Sequence, residues 1–205
     1  VTSGYNNIAI GDNAAGALTT GARNVLIDPD PAAGGVTAGV TTGTQNVGVG
    51  YATLVALTDG YGNVAIGAQA GAEIAGGDNN ITMGYQAGLN INAGSQNIIL
   101  GYRAADAANI SNQIAIGYEA LGAVSTATQN IGIGNYALNK LTVGTNSVAI
   151  GNNAGYYATG SNNTFVGNEA GKGGTTSAPY SSGEKNIAIG KSALAGFTTG
   201  FNNVA

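Results

Sequence analysis

A triplet of apolar residues with branched ends recurs along the whole chain, preceded by a polar residue and followed by glycine. N-I-A-I-G stands at Asn7–Gly11 and again at Asn186–Gly190, N-V-G-V-G at Asn46–Gly50 and N-V-A-I-G at Asn63–Gly67. Aligning on the polar residue gives Asn7, Asn24, Asn46, Asn63, Asn80, Asn97, Gln113, Asn130, Ser147, Asn163, Asn186 and Asn203, at steps of 16 or 17 residues except for 22 into Asn46 and 23 into Asn186. Self-similarity at a fixed short period is the mark of stacked repeat architectures. Residues 1–205 therefore read as a single repeat array of about twelve coils.

The unit is roughly G-x-x-N-[VI]-x-[IV]-G-x-x-A-[GL]. Glycine stands three residues before the polar position except at Ile110 and Ala127, and directly after the triplet except at Asp28. Two fixed glycine phases predict two corners where the backbone needs φ > 0 or has no room for a Cβ. The triplets, short and β-branched, predict strands of about five residues. A helix would carry frequent glycines at roughly 1 kcal/mol each. A second extended segment is expected to close each coil, giving an all-β, parallel β-roll or β-solenoid of two strands and two turns per coil. At about 4.8 Å per coil the array would stand about 50–60 Å tall. Stacked amides can bond up such an array, and Asn tolerates a left-handed corner. Asn7, Asn24, Asn46, Asn63, Asn80, Asn97, Asn130, Asn163 and Asn186 are thus expected as a structural ladder, with Gln113 keeping the amide and Ser147 only a hydroxyl.

Alternation along each strand separates the middle of the triplet from its two ends. The end positions, almost all Val, Ile, Leu or Met, are expected to fill the inside of the roll. The middle row carries no charge either, and strands that are apolar on both faces are buried on both. A small coil encloses one face only. Ala9, Ala65, Ile99, Ala115, Ala149, Phe165 and Ala188 are therefore expected to meet identical chains in a homo-oligomer, because an exposed apolar stripe of this length invites aggregation.

N-S-V-A-I-G-N-N-A (Asn146–Ala154) and N-I-A-I-G-K-S-A-L (Asn186–Leu194) resemble the head repeats of YadA-type trimeric autotransporter adhesins. G-Y-E-A-L (Gly117–Leu121) and G-N-Y-A-L (Gly134–Leu138) are similar to the N-x-A-I-G-Y-x-A-L arrays of phage tail fibres. The resemblance covers essentially the whole chain. It implies a left-handed β-roll homotrimer in an extracellular fibre, on a virion tail or a bacterial surface. The adhesin heads use a shorter unit with Ser where Asn dominates here, which favours the fibre arrays and leaves the adhesin head as the alternative.

Composition narrows the chemistry. With 43% hydrophobic residues and a net charge of −4, the chain has apolar surface to bury and little self-repulsion, so it is expected to fold. Six Lys and Arg against ten Asp and Glu give no basic footprint for nucleic acid. No apolar run approaches the roughly 20 residues of a membrane span. The absence of His and Cys removes Ser-His-Asp, Cys-His and thiolate-metal chemistry, so neither enzymatic activity nor a cofactor is expected. Threonine pairs such as Thr41-Thr42 occur in only a few coils, without the sustained T-x-T ranks of an ice-binding solenoid, which stays a minor alternative. Beginning at Val1 and ending inside a repeat, the chain reads as a piece of a longer fibre.

Departures from the period locate the remaining candidates. The long coils at 28–45 and 167–185 carry residues that the repeats avoid, including Asp28 and Asp30 in D-P-D-P. Solenoid insertions emerge as loops and often form the binding face. Lys172, Tyr180, Glu184 and Lys185 are the candidate contact loop, an aromatic ring with charges suited to a cell-surface glycan or a protein receptor.

Overall fold

Each apolar triplet forms one three-residue strand, and the strands stack in chain order. In the computed structural model, which describes residues 3–11, 14–16, 18–27, 42–106, 110–174 and 180–205, they are β1 Ile8–Ile10, β2 Val25–Ile27, β3 Val47–Val49, β4 Val64–Ile66, β5 Ile81–Met83, β6 Ile98–Leu100, β7 Ile114–Ile116, β8 Ile131–Ile133, β9 Val148–Ile150, β10 Thr164–Val166 and β11 Ile187–Ile189. Every neighbouring pair is parallel, and like positions face like positions: Ala65 pairs with Thr82, Thr82 with Ile99 and Ile99 with Ala115. The result is one eleven-stranded parallel sheet on one side of a β-solenoid. Asp28, Asp30 and the rest of 28–41 lie outside the described residues.

The expected second strand is replaced by turns. Among the described residues the closing segment contributes only isolated bridges, such as Ser111 with Thr128 and Ala158 with Ser181. The second and fourth residues after the corner glycine are left-handed, as at Gln86 and Gly88 (φ 54° and 60°) and at Tyr136 and Leu138 (59° and 51°). That alternation breaks a pleat. The backbone is paired between coils all the same: Gln86 N–H donates to the Ala68 carbonyl (3.0 Å), and Gly88 N–H to that of Ala104 (2.9 Å).

The ladder residues form one column inside the solenoid. Asn80 shows the pattern: its Oδ1 accepts from the backbone N–H (3.1 Å) and Nδ2 (2.8 Å) of Asn97. Its Nδ2 donates to Asn63 Oδ1 (3.0 Å) and to the Gly94 carbonyl (2.8 Å). Both lone pairs and both hydrogens of a buried amide are thus satisfied. Gln113 accepts from Asn130 N–H (3.2 Å), and Ser147 Oγ from that of Asn163 (3.2 Å). The left-handed residue is not the ladder residue but the one before it, for example Asn79 (φ 56°) and Gln96 (62°).

The two corners need glycine for different reasons. Gly117, after the triplet, has φ +132°, and a Cβ there would sit 2.6 Å from the backbone of Gly134 one coil on. Gly60, before the ladder residue, has no such φ and is excluded by space alone: its Cβ would lie 2.5 Å from the Gly77 carbonyl oxygen.

The faces of the triplet are the reverse of the expectation. Ala65, Ile99, Ala115, Ala149, Phe165 and Ala188, expected at a chain–chain interface, are fully buried within their own chain; Ala9, in β1, is exposed. The end positions, expected inside, face outward: Ile81, Met83, Ile98, Ile150 and Ile189 are 38–63% exposed. The reason is volume. The middle residue shares the interior with the alanine of G-x-x-A, the [GL] residue, and a row that includes Leu57, Ile74, Ile91, Val124 and Leu141. No second pair of branched columns fits. Sizes within this interior compensate: a Cβ on Gly132 would lie 3.1 Å from Leu121 of the preceding coil, and Phe165 lies between Gly155 and Gly171. A Cβ on Gly155 would lie 2.9 Å from the Phe165 ring.

The ladder makes a direct stability prediction. Asn97→Ala strips partners from the Gln113 N–H (2.9 Å) and the Ile110 carbonyl (2.8 Å), both buried. The expected loss is about 2–6 kcal/mol in guanidinium denaturation, at about 1–3 kcal/mol per orphaned group. The exposed Asn152→Ala serves as control, and equal stability of the two variants would contradict the role assigned to the column.

Candidate functional site

The four contact-loop residues do not form one site. Bridging of Ala158 with Ser181 restores the coil register at Ser181, so Glu184 and Lys185 occupy ordinary repeat positions. Lys185 is the left-handed residue before Asn186 (φ 56°) and donates its N–H to the Ser161 carbonyl (3.2 Å). Both side chains are exposed and border a cleft with Ser182, Thr199, Phe201 and Asn202. Lys172 and Tyr180 belong to a different group. Lys172 Nζ pairs with Glu169 Oε1 at 2.9 Å, and the Tyr180 ring stacks on Tyr157 at 5.7 Å.

Tyr180 ends a row that was not expected from the sequence. Tyr85, Tyr102 and Tyr118 directly follow their corner glycines and stack in parallel, at 5.4 Å and 16° for the first pair and 5.1 Å and 5° for the second. Tyr136 is displaced one residue along its coil. It meets Tyr118 edge-on (5.1 Å, 67°) and then Tyr156 (5.8 Å, 67°). Tyr156 meets Tyr157 at 4.5 Å and 79°, and Tyr157 reaches Tyr180. Seven tyrosines therefore run unbroken over six ring contacts. Their periodicity is hidden because the residues occupy different positions of the unit; the signal is Tyr directly after the corner glycine in three successive coils, at Tyr85, Tyr102 and Tyr118.

Beside this row lies a cleft of about 100 Å³ bordered by Arg103, Asp106, Glu119, Asn139 and Lys140. Arg103 Nε and a terminal nitrogen both contact Asp106 Oδ2 at 3.0 Å. The hydrogen bond and charge of Asp106 hold the guanidinium above its ordinary pKa. Such a surface pair adds little stability, about 0–1 kcal/mol, so its effect is mainly to fix two charged groups in place. Lys140 Nζ lies 5.6 Å over the Tyr156 ring. Asn139 is buried and spans coils by donating to the Glu119 carbonyl (2.8 Å).

Partial desolvation by its neighbours, then the Glu119 charge and hydrogen bonding with Tyr136, push the Tyr118 hydroxyl up to about 12. Among the described residues no group of three or more acidic side chains converges to hold a metal ion. Among them, too, no helix is long and apolar enough to cross a membrane. What the surface offers is recognition chemistry: aromatic rings, phenol hydroxyls and paired charges. No family model matches the chain, and no curated protein or solved structure shows significant similarity to it.

The Tyr118 shift predicts a late alkaline transition. In ultraviolet titration of the tyrosines, Tyr118→Phe should remove a phenolate step centred near pH 12. An unfolded tyrosine ionises near about 10, so this group favours the unfolded state increasingly as pH rises from about 10 to about 12, and Tyr118→Phe should flatten that loss of stability. Removal of a step near 10 instead would contradict the assignment.

Proposed function

We propose that the chain is a non-enzymatic structural and adhesive segment of an extracellular homotrimeric fibre, of the kind found as the shaft or receptor-binding body of phage tail fibres. The observation that carries this reading is the outward face of the sheet. Among the end positions of β1–β11 only Thr164 is polar; the others are Ile, Val, Leu and Met, in two columns running the height of the sheet. Full burial of one such side chain is worth about 1.5–3 kcal/mol, and a flat apolar face repeated coil after coil is costly to leave in water.

A second copy with the same face is the natural cover, since in-register strands present matching columns at every level. Three chains around one axis would hide all three sheets and leave the turn segments outside. This reading keeps the left-handed trimer that the repeat motifs imply, but assigns the contact to Ile66, Met83, Ile98 and Ile133 and their column neighbours rather than to the middle residues. The long N-x-A-I-G-x-x-A-[GL] unit is the reason to prefer the tail-fibre arrays over an adhesin head.

Light scattering of the purified chain should give a mass of three times 19.9 kDa. Ile66→Asp combined with Ile133→Asp should reduce this to a folded monomer, because unpaired charges at a buried interface cost several kcal/mol. A stable wild-type monomer, or a trimer unaffected by the two charges, would overturn the proposal.

A further inference from the structure

The tyrosine row and its cleft have no part in the amide ladder or the buried core; Tyr85, Tyr102 and Tyr118 stand two residues beyond the ends of β5, β6 and β7. Tyr85, Tyr102 and Tyr118 are 39–46% exposed. The first three rings stack in parallel. From Tyr118 to Tyr157 the contacts turn edge-to-face instead. In such a contact only one of the two rings commits a face to its neighbour, so ring faces become free for another partner. This change occurs at the coils that carry Glu119 and Lys140, which with Arg103 and Asp106 of the preceding coil border the cleft.

We propose that the row from Tyr85 to Tyr180, with this charged cleft at its middle, binds an uncharged carbohydrate chain laid along the solenoid. Three features select that ligand. Charge comes first: Arg103 and Lys140 balance Asp106 and Glu119, so a polyanion or a polycation would meet as much repulsion as attraction. Next is the mixture of groups. The C–H face of a sugar ring packs on a phenol ring, while its hydroxyls donate to the carboxylates and accept from the guanidinium, the ammonium and the phenols. Tyr118, titrating near 12, remains a donor across the physiological range.

The third feature is shape. An enclosing small-molecule pocket has roughly 300–1,000 Å³, whereas this open cleft has about 100 Å³ and suits one ring of a longer chain. An extended peptide that adds to a sheet needs an unpaired strand edge. Strands β2–β10 are paired on both sides, and none presents such an edge along the row. The inference needs only the single chain, so it stands or falls separately from trimer assembly.

The test is titration of the full chain with an array of linear neutral oligosaccharides, including hexasaccharides of glucose, mannose and N-acetylglucosamine, and with heparin as polyanion. Seven of the ten Tyr lie in the row and the chain has no Trp, so tyrosine emission reports mainly on the row, and calorimetry gives the affinity. Saturable binding of at least one neutral oligosaccharide is expected, with heparin neither binding nor competing. Tyr136→Ala should weaken it by about tenfold or more, a loss of about 1.4 kcal/mol. Glu119→Gln with Lys140→Gln should do the same, and Asp59→Asn, remote from the row, should leave it unchanged. If Tyr136→Ala lowers the melting temperature, the paired charge variant, built on surface side chains, decides. Failure of every neutral oligosaccharide to bind, heparin bound at this site, or binding indifferent to both sets of variants would overturn the inference.

Discussion

The column of side-chain amides is the interaction on which the rest of the structure depends. An Asn amide offers two acceptor and two donor positions, and here all four are used between coils. One bond reaches the backbone N–H of the next ladder residue and one the carbonyl at the next corner, so each amide fixes both register and the position of the turn. It does so only while it points into the solenoid. With Asn63 inward, alternation puts Val64 outward, Ala65 inward and Ile66 outward, and the facing of every triplet follows from the residue before it.

That geometry leaves a narrow interior. One side chain per strand enters it, opposed by Ala, the [GL] residue and a single larger apolar group, and changes of size must be answered nearby. Phe165 is accommodated by glycine at 155 and 171, while Leu121 is accommodated by glycine at 132 one coil on. The apolar residues left over form the outward columns. A fold that encloses itself so tightly with small residues exports its bulkier aliphatic surface to the outward face of the sheet.

The period, both glycine corners, the parallel stacking and the amide column were legible in the sequence because each repeats at a fixed phase. The facing of the triplet is the reverse of the expectation, because a row of Ala and Gly marks a tight interior as readily as room for a neighbouring chain. The clue lies in the inward Asn one position earlier and in the reciprocal sizes of Gly132 and Leu121. The second strand was expected because a coil must close; left-handed residues such as Tyr136 and Leu138 close it without one. In the candidate loop, G-E-K-N at Gly183–Asn186 already spelled the ordinary G-x-x-N corner, so only Lys172 and Tyr180 belonged with the departure from the period. The tyrosine row escaped because its members shift position from coil to coil, and only folding brings Tyr118, Tyr136 and Tyr156 together.

The inside-out arrangement of the triplet is tested most directly by thiol accessibility, since the chain contains no cysteine of its own. Single cysteines at neighbouring positions, Ala115→Cys and Ile116→Cys, probe the two faces of one strand. In the folded monomer expected on the Ile66→Asp/Ile133→Asp background, the thiol at 115 should be inert to a maleimide reagent and the thiol at 116 should react. On the wild-type background the thiol at 116 should become protected as well. Rapid labelling at 115 with protection at 116 in the monomer would contradict the account.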